Sequence, residues 1–326
     1  MHSIVFQTET EQQKHLMKKI LITGAAGFIG SALASNLIKN KNYFVVIVDN
    51  LSTGHIGNIP RAQNCLFIKC DANNHKEISA IMERFKFDYV FHYAAVVGVL
   101  RTTQFPKMVI DDICGLQNIF DLSRSTGVKR IIFSSSSEVY GEPVHLPQHE
   151  YETPLNSKLP YAVIKNVGEC FCRTYKQEYG IDYTILRFFN TYGARQSADF
   201  VMSKFINMAL NNEPITIYGD GSQTRTFCYI DDNIDFTMEV FEKDLLLNDV
   251  VNVGNDKLTT IKELAEIIID MTNSKSEIKY LPPLKEGDMT RRQPDITKMR
   301  QCLNRDLTEL RAGIGHILKA KKEGHI

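Results

Sequence analysis

Thr23-Gly24-Ala25-Ala26-Gly27-Phe28-Ile29-Gly30 joins an apolar run, Ile20-Leu21-Ile22-Thr23, to a segment from Phe28 to Asn40 whose pattern predicts a helix. Gly24 permits a tight turn, Gly27 lets backbone approach a pyrophosphate, and Gly30 lets the helix pack near a sheet. The first turn of such a helix offers unpaired N–H groups and a positive dipole end to phosphates. The next apolar run, Phe44 to Asp49, ends on an acid placed to accept hydrogen bonds from ribose hydroxyls and to repel a 2′-phosphate. Asn50-Leu51-Ser52-Thr53-Gly54 follows with no arginine to welcome that phosphate. The turn therefore reads as a site for NAD in preference to NADP. A P-loop is excluded, because no Gly-Lys-Ser/Thr follows the glycines.

Outward from this turn, apolar runs alternate with helical segments. The runs are Leu66 to Cys70, Tyr89 to His92, Ile131 to Ser135 and Tyr183 to Arg187; the helices are His75 to Phe85, Pro106 to Ser125 and Tyr161 to Tyr179. The runs are apolar on consecutive positions, which suits strands covered on both faces. The alternation predicts an α/β fold: a Rossmann-type, doubly wound parallel sheet over residues 18–190. Beyond Asn190, helices at Val201 to Asn211, Asp232 to Lys243 and Ile261 to Met271 are spaced by short strands and polar loops, so residues 191–326 are expected to form mainly a smaller substrate-binding lobe. Residues 1–17 read as a polar extension with no apolar signal core.

Lysine plus arginine equals aspartate plus glutamate, 38 each, so no basic excess points to nucleic acid or an anionic membrane. No stretch approaches the ~20 apolar residues that span a bilayer. The seven cysteines lack zinc-type spacing, so no metal site is expected, and free thiols in a cytoplasmic setting fit best. Cys170 and Cys172 would point in different directions on a helix, which argues against a redox pair.

Tyr161 and Lys165 are four apart on a helical segment and share a face. An ammonium beside a phenol, with NAD+ adding a second positive charge, would lower the tyrosine pKa from about 10. The phenolate could then take the proton of a hydroxyl as hydride leaves the same carbon. Ser136, at the end of a strand, could share that proton and orient the hydroxyl.

Gly24-x-x-Gly27-x-x-Gly30, Asp49 to Gly54, His92-Tyr93-Ala94-Ala95, Ser134-Ser135-Ser136-Ser137-Glu138-Val139-Tyr140-Gly141 and Tyr161-x-x-x-Lys165 together resemble the NAD-dependent epimerase/dehydratase family, extended short-chain dehydrogenases acting on nucleotide-sugars. The resemblance runs from about Lys19 to about Leu303. It implies catalytic roles for Ser136, Tyr161 and Lys165, with Glu138 beside them. It implies NAD contacts from Gly24, Gly27, Phe28, Ile29, Gly30, Asp49, Asn50, Ser52, Thr53, Gly54, Asp71, Ala72, Ala94, Ala95, Ser134, Tyr161 and Lys165. His92 matches a strand histidine that reads as a satisfied core residue. The resemblance also implies a homodimer through the helices Pro106 to Ser125 and Tyr161 to Tyr179; their Ile119, Phe120 and Phe171 look exposed, or else simply pack on the sheet.

Substrate contacts follow from the same resemblance: Ser136, Ser137, Asn190 in Arg187-Phe188-Phe189-Asn190-Thr191-Tyr192-Gly193, Arg225 for the nucleotide diphosphate, and Arg292. Guanidinium groups bind phosphate oxygens bidentately. Similar proteins most often take UDP. Three reactions share oxidation at the sugar C4. A 4,6-dehydratase would need an acid beside Glu138, where Ser137 is a poor proton donor. Ser137-Glu138 and Arg292 resemble UDP-glucuronate decarboxylases, whereas His92 to Val99 looks closer to the epimerases. The first reading is a nucleotide-sugar 4-epimerase with a transient 4-keto intermediate, the second a decarboxylase. A catalytically idle NAD-binding regulatory protein is the alternative outside enzymology, and intact Ser136, Tyr161 and Lys165 count against it.

Overall fold

The computed structural model describes residues 17–97, 102, 104–283 and 291–324. The N-terminal extension, apart from Met17, and Gly98 and Val99 lie outside the described residues.

The first half alternates as read. Strand β1 (Lys18–Thr23) leads to helix α1 (Phe28–Leu37), β2 (Tyr43–Asp49), β3 (Cys65–Lys69), α2 (His75–Phe85) and β4 (Tyr89–His92). Helix α3 (Pro106–Thr126), β5 (Arg130–Ser136), a 3-10 turn (Ser137–Tyr140), α4 (Pro160–Tyr179) and β6 (Asp182–Phe188) follow. The rest is β7 (Thr191–Tyr192), α5 (Val201–Leu210), β8 (Ile215–Tyr218), β9 (Thr224–Arg225), β10 (Cys228–Tyr229), α6 (Ile230–Glu242) and β11 (Asp249–Val253). The chain ends with β12 (Thr259–Thr260), α7 (Ile261–Thr272), β13 (Ile278–Leu281), α8 (Thr297–Cys302) and α9 (Leu310–Lys322).

Seven strands form one parallel sheet in the order β11-β6-β5-β4-β1-β2-β3. Ile20, Leu21 and Ile22 on β1 and Val45 to Val48 on β2 are buried on both faces, which is why their sequences do not alternate. Each such side chain contributes roughly 1.5–3 kcal/mol by leaving water. Edge strand β3 is only partly covered. The winding reverses at β1, which pairs with β2 on one side and β4 on the other. Ligands of open α/β sheets bind at the carboxyl ends of strands at such a reversal, and the glycine turn follows β1 there.

Local signals set the helix ends. Asn74 caps α2 by accepting the Lys76 and Glu77 amides, and Thr260 with Glu263 forms a capping box on α7. Helix α1 stops at Leu37, short of Asn40, because Ile38 to Asn40 turn toward β2 through hydrogen bonds back to Ala34, Asn36 and Leu37.

The chain gathers into two compact units, one drawn from Met1–Ala94, Ile113–Phe133 and Phe171–Tyr183, the other from Ala95–Asp112, Ser134–Cys170 and Thr184–Ile326. The seven cysteines are free; Cys170 is exposed and Cys172 buried, so they do point apart. Ile119 and Phe120 are buried, and Phe120 packs on Phe171 and Tyr175 at centroid distances of 5.5 and 5.1 Å. Ile119 and Phe120 thus face inward, the second of the two readings their sequence allowed. Met108, Ile110 and Ile113 on α3 and Val163 and Tyr179 on α4 are the exposed large apolar side chains among the described residues of those helices.

Candidate active site

In the first unit the glycine turn is held at close quarters. Gly24 has φ +70°, and a Cβ there would sit 2.6 Å from the Ala94 nitrogen. A Cβ on Gly30 would lie 2.6 Å from the Gly24 carbonyl oxygen. Both positions therefore demand glycine. Helix α1 has no side-chain cap and no acid in its first turn. Its first intrahelical hydrogen bond runs from the Ser31 amide to the Gly27 carbonyl (3.1 Å), which leaves the amides of Phe28, Ile29 and Gly30 at the open end.

Asp49 is buried beside this turn. One carboxylate oxygen accepts the Ala26 amide (2.9 Å) and the other the Leu51 amide (2.7 Å). Each oxygen keeps a further lone pair for a hydroxyl. A Cβ on Gly54 would come within 2.7 Å of the Ala26 Cβ and 2.9 Å of Asp49, so this approach also needs glycine. Asn50 donates to Asp71 at 3.2 Å, and its own oxygen accepts the Ser52 amide at 2.9 Å. The Ala72 carbonyl accepts Asn118 at 2.9 Å. Thr23 Oγ1 accepts the Tyr93 and Ala94 amides, each at 3.1 Å, so its hydroxyl proton goes to His92 Nδ1 at 2.8 Å. His92 is thus a satisfied core residue. Uncapped amides, glycine-only clearances and an acid with spare lone pairs fit an NAD pyrophosphate and adenosine ribose.

The second unit holds the Ser, Tyr and Lys. Tyr161, Lys165 and Glu169 form a stripe along α4 at four-residue spacing. Lys165 is buried; it donates to the Ser134 carbonyl at 2.6 Å and to the Ser134 hydroxyl at 3.2 Å, and its nitrogen lies 5.8 Å from the Tyr161 ring centre. Ser136 Oγ accepts the Glu138 amide (3.2 Å), and its hydroxyl hydrogen-bonds Tyr161.

The electrostatics differ from the expectation. Burial raises the Tyr161 pKa above its ordinary value, against a hydrogen bond from Ser136 that lowers it; Glu138 and Asp112 raise it further, and Arg292 lowers it. Burial also lowers Lys165 to about 8, partly offset by Asp112. The chain by itself therefore keeps the phenol protonated, because desolvation outweighs the Ser136 hydrogen bond and the Arg292 charge. Asp112, which accepts the Val96 amide at 2.8 Å, went unread in the sequence: it lies in a helix far along the chain and shares no motif with the tyrosine.

Glu138 and Arg292 form an ion pair at 2.5 Å with both side chains mostly buried. One Glu138 oxygen and the Arg292 Nε are buried without a hydrogen-bond partner, so each carries unused capacity. Ser137 is buried beside Glu138. Asn190 sits in a left-handed conformation (φ 38°) and donates to the Thr226 carbonyl at 2.9 Å. Arg225 is buried and donates to the Thr224 carbonyl at 2.9 Å. Arg291 is exposed and bridges to Thr224 through its backbone. A cavity of about 440 Å³ is lined by Gly219 and Asp220, a few residues before Arg225, and by Tyr280, Leu281 and Pro283.

The sequence profile of the NAD dependent epimerase/dehydratase family matches residues 20–254. A Methanocaldococcus jannaschii protein, provisionally named a UDP-glucose 4-epimerase, is 36% identical over 94% of this chain and 99% of its own length. UDP-glucuronic acid decarboxylase 5 of Arabidopsis thaliana is 34% identical over 87% of this chain and 83% of its own. Among solved structures, the UDP-glucose 4-epimerase of Thermotoga maritima with UDP-glucose superposes with a TM-score of 0.88 at 32% identity, covering 94% of this chain and all of that one. Among the described residues no helix is long and apolar enough to cross a membrane. The glycine cradle and its acid, the serine-tyrosine-lysine cluster and these likenesses converge: the chain belongs to the NAD-dependent epimerase/dehydratase family, and its cofactor is NAD.

Proposed function

We propose that the protein is an NAD-dependent 4-epimerase of a nucleotide-diphosphate-sugar, UDP-linked, with an uncharged hydroxymethyl group at C6. The reading is supported above all by the Glu138–Arg292 pair. Its guanidinium is already neutralised by a carboxylate 2.5 Å away, and the spare Glu138 oxygen presents negative charge. A second carboxylate, that of a glucuronate, would meet that charge in a desolvated site. A hydroxymethyl would find an acceptor on Glu138 and a donor on Arg292. The similarity to the Thermotoga maritima UDP-glucose 4-epimerase, and to the Methanocaldococcus jannaschii protein provisionally given the same name, points the same way.

In this reading the amides of Phe28, Ile29 and Gly30 and the close backbone of Gly24 and Gly27 hold the pyrophosphate. Asp49 takes the adenosine ribose hydroxyls, with Asn50, Ser52, Thr53, Gly54, Asp71 and Ala72 along the adenosine half. Ala94, Ala95, Ser134 and Lys165 serve the nicotinamide half. NAD, when bound, would supply both hydride acceptor and hydride donor for C4, so no outside oxidant would be needed. Ser136 and Tyr161 hold the C4 hydroxyl. Tyr161, its burial-raised pKa brought down by the positive charge that bound NAD+ would supply, would take the hydroxyl proton as the C4 hydride departs. The 4-keto sugar then turns over, and Tyr161 returns the proton to the alkoxide formed on the other face. Arg225 carries the diphosphate, Asn190 and Ser137 line the sugar, and the cavity beside Tyr280 takes the base. A homodimer through the exposed Met108, Ile110, Ile113 and Val163, in a cytoplasmic setting, completes the reading.

A decarboxylase is the second reading, favoured by Ser137-Glu138 and by the similarity to the Arabidopsis UDP-glucuronic acid decarboxylase. Incubation with UDP-glucose, UDP-N-acetylglucosamine and UDP-glucuronate, followed by proton NMR, separates the two. C4 inversion of a neutral sugar is the expected result. Carbon dioxide and a pentose product from UDP-glucuronate would establish the second reading instead.

A further inference from the structure

Behind the proposed reacting groups lies a charge pair that neither the hydride nor the proton steps use. Glu169 and Arg187 are a buried ion pair whose side chains are 0% and 1% exposed. The contact is bidentate: Arg187 Nε donates to one Glu169 oxygen at 2.8 Å and Nη2 to the other at 2.7 Å. Removing two charges from water is costly, and apolar side chains of similar size often stabilise a fold as well. The contacts around the pair indicate what the charges supply in addition.

Each partner grips a different part of the site. Glu169 accepts the Ser135 hydroxyl at 2.7 Å, next in sequence to Ser136, and it lies one turn beyond Lys165 on the face of α4 that carries Tyr161. Arg187 donates to the Tyr140 hydroxyl at 2.8 Å, at the end of the turn that holds Glu138, and to the Glu150 carbonyl at 3.0 Å. Tyr140 donates onward to Asn252 at 2.7 Å, and Asn252 donates to the carbonyls of Gln148 (2.8 Å) and Asp295 (3.2 Å). Gln148 is clipped to Gln293 at 2.7 Å and to Asp295 at 2.8 Å, on either side of Pro294 and close behind Arg292. One buried polar network thus reaches the serine strand, the tyrosine helix, the glutamate turn and the arginine segment.

We propose that the Glu169–Arg187 pair is a positioning element that fixes Ser136, Tyr161 and the Glu138–Arg292 pair relative to one another for the reaction. The proposal deepens the epimerase reading and rests on it. Directional hydrogen bonds through a fully satisfied charge pair set angles that apolar packing leaves loose. Small misplacements of reacting groups cost large factors in rate.

The test uses the full-length, NAD-loaded protein carrying Ser135→Ala or Tyr140→Phe. Each variant removes one hydroxyl of the network and no charge. Three quantities are read: kcat and KM for UDP-glucose, the thermal midpoint, and the NAD-dependent ionisation of Tyr161, taken as the near-ultraviolet phenolate absorbance that a Tyr161→Phe protein lacks. A fall in kcat of about tenfold to a hundredfold is expected, with KM held within about twofold. The Tyr161 ionisation midpoint should move to higher pH. Unchanged kcat and unchanged ionisation in both variants, with only a lower thermal midpoint, would overturn the proposal and leave the pair a purely structural one. If the wild type converts no nucleotide-sugar while both variants still displace the ionisation, the positioning role stands and the reaction assignment fails. If the wild type turns over normally and neither variant moves either quantity, the reaction stands and the positioning role fails.

Discussion

Arg292 donates to Glu138 at 2.5 Å across 154 positions of sequence, and each partner retains a buried polar atom without a hydrogen bond. In the proposed site this pair meets the sugar C6. Glu138→Gln removes the charge while keeping the shape. The freed guanidinium should then favour a C6 carboxylate, raising preference for UDP-glucuronate over UDP-glucose about tenfold or more, or about 1.4 kcal/mol. Competition binding with the two nucleotide-sugars measures this. An unaltered preference would remove Glu138 from the C6 subsite.

Gly24→Ala should empty the protein of cofactor. The new Cβ would meet the Ala94 backbone at 2.6 Å, in a left-handed conformation that costs a side chain about 1–3 kcal/mol. NAD released from denatured protein and the thermal midpoint report the effect. Normal NAD content in the variant would show that the turn has room the structure denies it.

Asp49→Asn should weaken discrimination between the two dinucleotides. The amide keeps one oxygen for the Ala26 or Leu51 amide but no longer repels a 2′-phosphate. Titration with NADH and NADPH should show the preference for NADH narrowing by about tenfold or more. Unchanged selectivity would place the ribose recognition elsewhere.

The pH profile follows from the two shifts. Burial raises the Tyr161 pKa, so the chain alone holds the phenol protonated, and kcat/KM should rise with pH through the NAD-bound value of that group. Lys165, lowered to about 8, is charged below that pH and loses its proton above it, which withdraws a cation from the phenolate. Lys165→Met should therefore displace the acid limb to higher pH by about one unit or more, measured as kcat/KM against pH. An acid limb that stays in place would show that the lysine serves NAD alone.

The glycine turn, the central strands and the tyrosine-lysine pair were legible because each rests on local chemistry: a turn only glycine can make, consecutive apolar residues, and spacing along one helix. Strand β11 was harder. Its Asp249-Val-Val-Asn-Val is short and interrupted by Asn252, whose side chain serves the buried network. Nothing in the sequence pairs Glu169 with Arg187: such residues are seldom buried unless paired, and only the fold brings these two together. The sequence left Ile119, Phe120 and Phe171 open between an exposed face and packing on the sheet; Ile119 and Phe120 are buried, a choice that an apolar residue on a long helix does not declare by itself.

The central claim is that Tyr161, ionised when NAD is bound, is the base for a C4 hydroxyl. Proton NMR of UDP-glucose incubated with the wild type and with Tyr161→Phe, both loaded with NAD, tests it most directly. C4 inversion by the wild type and none above background by the variant, with NAD content preserved, is the expected result. Inversion by the variant at a rate near the wild type's would contradict it.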